Sequence, residues 1–154
     1  RVRSDSAGGC LSLLTLQSAR DAGLPLPKAC ALLGPIGDLS AHIEDRCDAA
    51  GDEILIPPAW PRAILRDYLP GIDPARPDVS PLKGDLTGLP PTLIQAATGE
   101  ALAVDATLIA EAMDRAELEL WDGVQHVWHL HAGRARAANR ALKRLGAFLA
   151  EHTA

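Results

Sequence analysis

Three short apolar segments punctuate this chain, each bounded by residues that end regular structure. Residues 29–33, Ala-Cys-Ala-Leu-Leu, lie between Pro27 and Gly34-Pro35, the pattern of a strand buried on both faces. Residues 92–97, Thr-Leu-Ile-Gln-Ala-Ala, follow Pro90-Pro91 and predict a second buried strand, and residues 118–121 a third. Between them the pattern is helical. Residues 8–22 are rich in Ala, Leu and Ser, hold no proline and stop at Gly23 and Pro25. Residues 102–115 predict an amphipathic helix, residues 122–133 a loop and residues 135–151 a closing helix. Across residues 38–67 the period is mixed and broken by Pro57, Pro58 and Pro61, which predicts short helices and loops lying over the domain. Residues 70–91, with six prolines and three glycines, predict an extended connector. Helix, strand, cover, strand, helix, strand, helix is the alternation of an open parallel α/β sheet, here of about three to four strands flanked by helices.

Composition narrows the functional classes. With 154 residues, 47% apolar content and a net charge of −5, the chain fits one globular domain. An acidic balance gives no attraction to nucleic acid or anionic lipid. Arg134, Arg136, Arg140, Lys143 and Arg144 cluster at helical spacing, as a solvated helix face would. No apolar run approaches the roughly 18 to 20 residues of a membrane span, and the expected location is cytoplasmic. Cys10, Cys30 and Cys47 show no C-x-x-C spacing, so they read as small buried hydrophobes rather than disulfide or zinc ligands. The chain opens on Arg1 and Met113 is its one methionine, the mark expected of a fragment of a longer protein.

Ser4-Asp5-Ser6-Ala7-Gly8-Gly9 falls where a strand should pass into a helix. A serine on such a sharp turn needs small neighbours two positions away on either side, and Ser4 and Gly8 meet that need, with Ser4 standing where G-x-S-x-G has glycine. The turn leaves the Ala7 N–H at a helix N-terminus, able to donate to an oxyanion. Taken alone, the segment is also readable as a flexible turn or a helix cap through Ser4 or Asp5, and a further reading makes Gly8-Gly9 a phosphate grip. That last reading lacks a P-loop lysine and a G-x-G-x-x-G spacing.

A serine hydroxyl becomes nucleophilic only beside an imidazole whose tautomer a carboxylate fixes. His126 follows the third strand in a loop, where such a base is presented. His129 and His131 read as packing or surface histidines, as His42 and His152 do; the tract His126–His131 lacks acidic or cysteine partners at metal-ligand spacing. The carboxylate is expected just after the second strand, where Glu100 and Asp105 both stand. Glu100 is nearer the strand's carboxyl end, the edge where open α/β sheets bind ligands. Asp105 reads as an early-turn helix acid, kept as the alternative.

Together these segments resemble the hormone-sensitive-lipase-like, bacterial family IV α/β-hydrolases, over essentially the whole chain. The resemblance rests on Asp5-Ser6-Ala7-Gly8-Gly9, Ser18 to Pro25, Tyr68-Leu69-Pro70-Gly71, Asp73-Pro74, Ser80-Pro81-Leu82, Gly88 to Pro91, Glu100-Ala101-Leu102 and His126-Val127-Trp128. It implies a carboxylesterase acting on short acyl esters, with Ser6 as nucleophile, His126 as base, Glu100 as acid where aspartate is commoner, and Ala7 in the oxyanion hole. No cofactor or metal is implied, the substrate is a small ester, and a homodimer through the last strand and helix is a family habit. Residues 38–67 fall where members carry part of the acyl-pocket wall, and residues 116–118 are a few residues short of the family pattern. Members carry a His-Gly-Gly-Gly loop and the first strands upstream of the nucleophile. This sequence matches the C-terminal half only, so the expectation is a partial fold with an uncovered sheet edge and impaired turnover, since one oxyanion donor contributes about 100- to 1000-fold. The competing expectation is an inactive remnant serving as an interaction module.

Overall fold

A computed structural model describes residues 1–40, 45–46, 50, 54–56 and 59–152, with the backbone alone for residues 59–62. Four strands, β1 (Val2–Asp5), β2 (Cys30–Leu33), β3 (Thr92–Ala97) and β4 (Ala116–Trp121), form one parallel sheet in the order β1-β2-β3-β4. The register pairs Asp5 with Leu33, Leu33 with Gln95 and Ala97 with Trp121. All four strands therefore deliver their following loops to the same edge of the sheet.

Both faces of β2 and β3 are covered, whereas β1 leaves Arg3 and Asp5 exposed. Helix α1 (Ser6–Asp21) and helix α3 (Ala103–Ala112) pack Leu13, Leu16, Ala106 and Ile109 onto Cys30, Leu32, Ile94 and Ala96. On the opposite face, α4 (Arg136–Glu151) packs Leu145, Phe148 and Leu149 onto Ala31, Leu33 and Leu93. Alternation along β2 and β3 thus feeds two cores at once, which is why these strands read as continuously apolar. Leu13, fully buried, is the type of side chain whose truncation to alanine costs about 2–5 kcal/mol. Cys10 and Cys30 are buried and free, as expected; burial pushes their thiols up to about 11 and about 12. Cys47 and His42 lie outside the described residues.

Several boundaries differ from those the sequence predicts. Helix α1 begins at Ser6 rather than residue 8, and β4 starts at Ala116, so the residues short of the family pattern lie inside the strand. The proline-broken segment holds a ten-residue helix, α2 (Ala59–Tyr68). Pro61 is compatible with it because the first turn of a helix has no intrahelical use for its N–H groups. The connector is pinned to α1 by Gln17 Nε2, which donates to the carbonyls of Pro81 (3.2 Å) and Asp85 (3.1 Å), and by Arg20 Nη1, which donates to those of Asp85 and Thr87. No described helix is long and apolar enough to cross a membrane.

Candidate active site

Each strand of the sheet is followed, at the carboxyl edge, by one residue of the candidate site: Ser6, Gly34, Glu100 and His126. Ser6 follows β1 directly and has φ +46°, a left-handed conformation costing a non-glycine residue about 1–3 kcal/mol unless its surroundings enforce it. The enforcement is visible. Asp5 ahead of it is extended and makes no side-chain cap, so the capping reading fails. Ile36 N–H donates to the Ser6 carbonyl at 3.2 Å. A Cβ on Gly8 would meet Ser4 Cβ at 3.4 Å, and one on Gly9 would strike Pro35 Cβ at 2.7 Å. Serine in place of glycine at position 4 is accommodated because its hydroxyl accepts a 2.9 Å hydrogen bond from Ser12 Oγ. Ala7 lies in the first turn of α1, where N–H groups have no intrahelical acceptor.

His126 and Glu100 come from the loops after β4 and β3. Their side chains are buried, at 7% and 1% exposure, and His126 Nδ1 lies 3.2 Å from Glu100 Oε1. Glu100 Oε2 accepts the Ala97 N–H at 3.1 Å, which aims the carboxylate. An ionised carboxylate only accepts, so Nδ1 carries the proton and Nε2 is left with its lone pair, the atom a general base needs. Burial strengthens this pairing relative to water. Ser6 Oγ makes no hydrogen bond among the described residues; such contacts often tighten only with substrate bound.

The Glu100–His126 pair leans on Gly34, the residue after β2. Its φ is +51°, and a Cβ there would lie 2.6 Å from Glu100 Oε1 and 2.7 Å from His126 Nδ1. Glycine alone suits both the conformation and the space. Asp105, the alternative acid, is elsewhere engaged. It sits in the first turn of α3, fully buried, accepting the N–H groups of Gly37 (2.9 Å) and Asp38 (3.3 Å) and pairing with Arg46. It pins the loop after β2 rather than touching His126.

Beside this edge lies a second pair, His129 and Gln95, of which the sequence reading singled out only the histidine. His129, read as a packing histidine, is buried on the 3₁₀ turn Trp128–His131 and meets Gln95; Gln95 is a lone amide inside an otherwise apolar strand, which was the available signal. Burial takes His129 down to about 4, against a smaller upward pull from Asp5 and a further depression from His126. His131 is exposed and contacts Gln125 Nε2. Among the described residues no three His, Cys, Asp or Glu side chains could together hold a metal ion.

Beside Ser6, an apolar cavity of about 710 Å³ opens between α1, the loop after β2 and α2. Ala7, Cys10, Leu11 and Leu14 form one wall, Ile36 and Leu39 another, and Ala63, Ile64 and Tyr68 the cover, with Asp67 and Asp78 also lining it.

A parallel sheet with a strained serine at the strand-to-helix turn and a carboxylate–histidine pair at the same edge defines an α/β-hydrolase. A model of the alpha/beta hydrolase fold matches residues 2–130. The chain belongs to that family, and within it to the hormone-sensitive-lipase-like, family IV branch. It is 40% identical to an acetyl-hydrolase of Streptomyces hygroscopicus, over 96% of this chain and 51% of the relative. An esterase from the bacterial hormone-sensitive lipase family superposes with a TM-score of 0.91 at 35% identity, over 99% of this chain and 52% of that one. A hormone-sensitive lipase from a metagenome library gives 0.88 at 30% identity, over 98% and 54%. The chain spans about half the length of the relatives it matches.

Proposed function

We propose that the chain carries the nucleophile, acid and base of a serine carboxylester hydrolase acting on short-chain acyl esters. The observation that carries this reading is the buried Glu100–His126 pair on the edge where Ser6 is held at positive φ. His126 Nε2 takes the Ser6 proton as Oγ attacks the ester carbonyl. The oxyanion forms toward the Ala7 N–H, and the imidazolium, stabilised by Glu100, returns the proton to the departing alcohol. Water then repeats the sequence on the acyl-enzyme, releasing the acid and free Ser6. The cavity beside Ala7 suits the acyl group, and α2, which starts inside residues 38–67 and ends at Tyr68, covers it. The chemistry uses side chains, backbone and water only.

The 154 residues hold no His-Gly-Gly-Gly run, so on this reading they turn over slowly by themselves, lacking donors about 100- to 1000-fold in effect. A second copy would pair along β4, the edge strand of the described sheet, whose Leu120 is 46% exposed; a chain that sediments as a monomer at high concentration would exclude that. The functional test is hydrolysis of p-nitrophenyl acetate and butyrate by the chain and by a form extended upstream to the length of its relatives, each beside its Ser6→Ala variant. Turnover lost with Ser6→Ala is the expected result. A folded, extended protein inert toward both esters would favour an inactive domain that serves as an interaction module.

A further inference from the structure

Val127, directly after His126, is a β-branched residue at φ +50°, a conformation that such side chains avoid unless the structure around them forbids the alternatives. The turn beyond it is tied locally: Trp128 N–H donates to the Gln125 carbonyl at 3.2 Å and Leu130 N–H to that of Val127 at 3.1 Å. Such local bonds travel with the turn and cannot fix where it sits over the sheet. Outside the turn, Trp128 packs on Ala97, Ala138 and Ala141, a contact without direction, and the directional tie among the described residues is His129, whose Nε2 lies 3.0 Å from Gln95 Oε1.

Gln95 is held from three sides. It is fully buried at the centre of β3, and its Nε2 donates to Glu119 Oε2 at 2.8 Å and to the Ala141 carbonyl at 3.3 Å. Both partners only accept, so the amide cannot flip and Oε1 must face His129. Glu119 is itself fixed by Arg144 Nε at 2.9 Å and reached by Trp121 Nε1 at 3.4 Å. The Gln95 carbonyl oxygen of the side chain then requires a proton on His129 Nε2. His129 Nδ1 is buried and has no hydrogen-bond partner among the described residues. A histidine kept here with one nitrogen unsatisfied is a poor choice for packing alone, and the Trp128 ring, tilted by 34° with its centroid 4.0 Å away, lies against it.

We propose that Gln95 and His129 are positioning residues for His126. Gln95, locked by Glu119 and the α4 backbone, grips His129 by its Nε2–H and thereby fixes the strained Val127 turn from which the His126 imidazole hangs against Glu100. The proposal rests on His126 as the base but makes a claim about geometry that stands without turnover.

The test uses His129→Leu and Gln95→Met, which remove the bond while keeping the site apolar, and His129→Gln, which keeps a donor for Gln95. Proton NMR follows the exchange-protected His126 Nδ1–H, with circular dichroism confirming the fold. The resonance is expected in the unsubstituted chain and in His129→Gln, and lost or broadened in the other two. In the extended protein, p-nitrophenyl butyrate turnover should fall about tenfold to a hundredfold in kcat for those two, with KM changed less than about twofold, and recover in His129→Gln. The resonance persisting in both disabling variants, disappearing equally in His129→Gln, or missing from the unsubstituted chain would overturn the relay. An extended protein without turnover would instead count against the esterase reading, while the resonance still decides the relay.

Discussion

His126 and His129 stand three residues apart in one loop and are almost equally buried, at 6% and 5% exposure. Their partners make them different chemical objects. His126 faces a carboxylate, which can stabilise the imidazolium that proton transfer creates. His129 faces a neutral amide, which fixes a tautomer but offers nothing to a positive charge, and burial holds it neutral. Position along the chain does not separate a candidate base from a structural histidine; the residue delivered opposite by the sheet does. The same lesson applies to the acids, since Glu100 meets an imidazole whereas Asp105 meets two backbone amides and Arg46.

The sharpest way to break the contrast is to remove the charge behind His126. Glu100→Gln, replacing the acceptor by an amide, is expected to lower kcat by up to about 10⁴-fold in the extended protein, measured with p-nitrophenyl butyrate; His129→Gln in the same assay should stay within a few-fold. Crowding the pair is the next largest effect. Gly34→Ala places a methyl against both Glu100 and His126, and displacements of about 1 Å cost about 100-fold in turnover, together with about 1–2 kcal/mol for the left-handed conformation, read by urea unfolding.

Asp105→Asn should reverse the pattern. Leaving Arg46 facing a neutral amide is expected to destabilise the fold by about 3 kcal/mol, while turnover per folded molecule stays near the original, as an active-site titration would show. The smallest effect concerns pH. His129 titrates near 4 when folded against 6.5 for the ordinary side chain, so the unfolded chain binds more protons between those values. Stability from this group is complete above about pH 6.5 and falls as pH drops toward 4, by up to about 3 kcal/mol. Unfolding curves at pH 7 and pH 4.5 should show that difference shrinking in His129→Gln.

Much of this was legible because it is local. The β3 boundaries follow from Pro90-Pro91 and Gly99, and α4 is readable from Ala138, Ala141, Leu145 and Phe148 at helical spacing. Ser6, Glu100 and His126 became candidates because each falls just after an expected strand. What escaped depends on neighbours distant in sequence. Gly34 reads as a strand terminator, and only the fold shows Glu100 and His126 occupying the space its missing side chain leaves. Gln95 was visible as an oddity in an apolar strand, but its partners Glu119, His129 and Ala141 come from three later elements. Helix α2 was expected only as one of several short helices, and its bounds were blurred by Pro61, which breaks a period on paper yet is harmless in a first turn.

The central claim is that Ser6 is activated by His126 and not by its neighbour. Intact and peptide mass spectrometry after treatment with a fluorophosphonate measures this directly in the extended protein. The account predicts one adduct, on Ser6, formed rapidly by the unsubstituted protein, more slowly by His129→Leu, and not at all on the assay timescale by His126→Gln. Equal labelling of Ser6 in His126→Gln, or an adduct elsewhere with Ser6 unmodified, would contradict it.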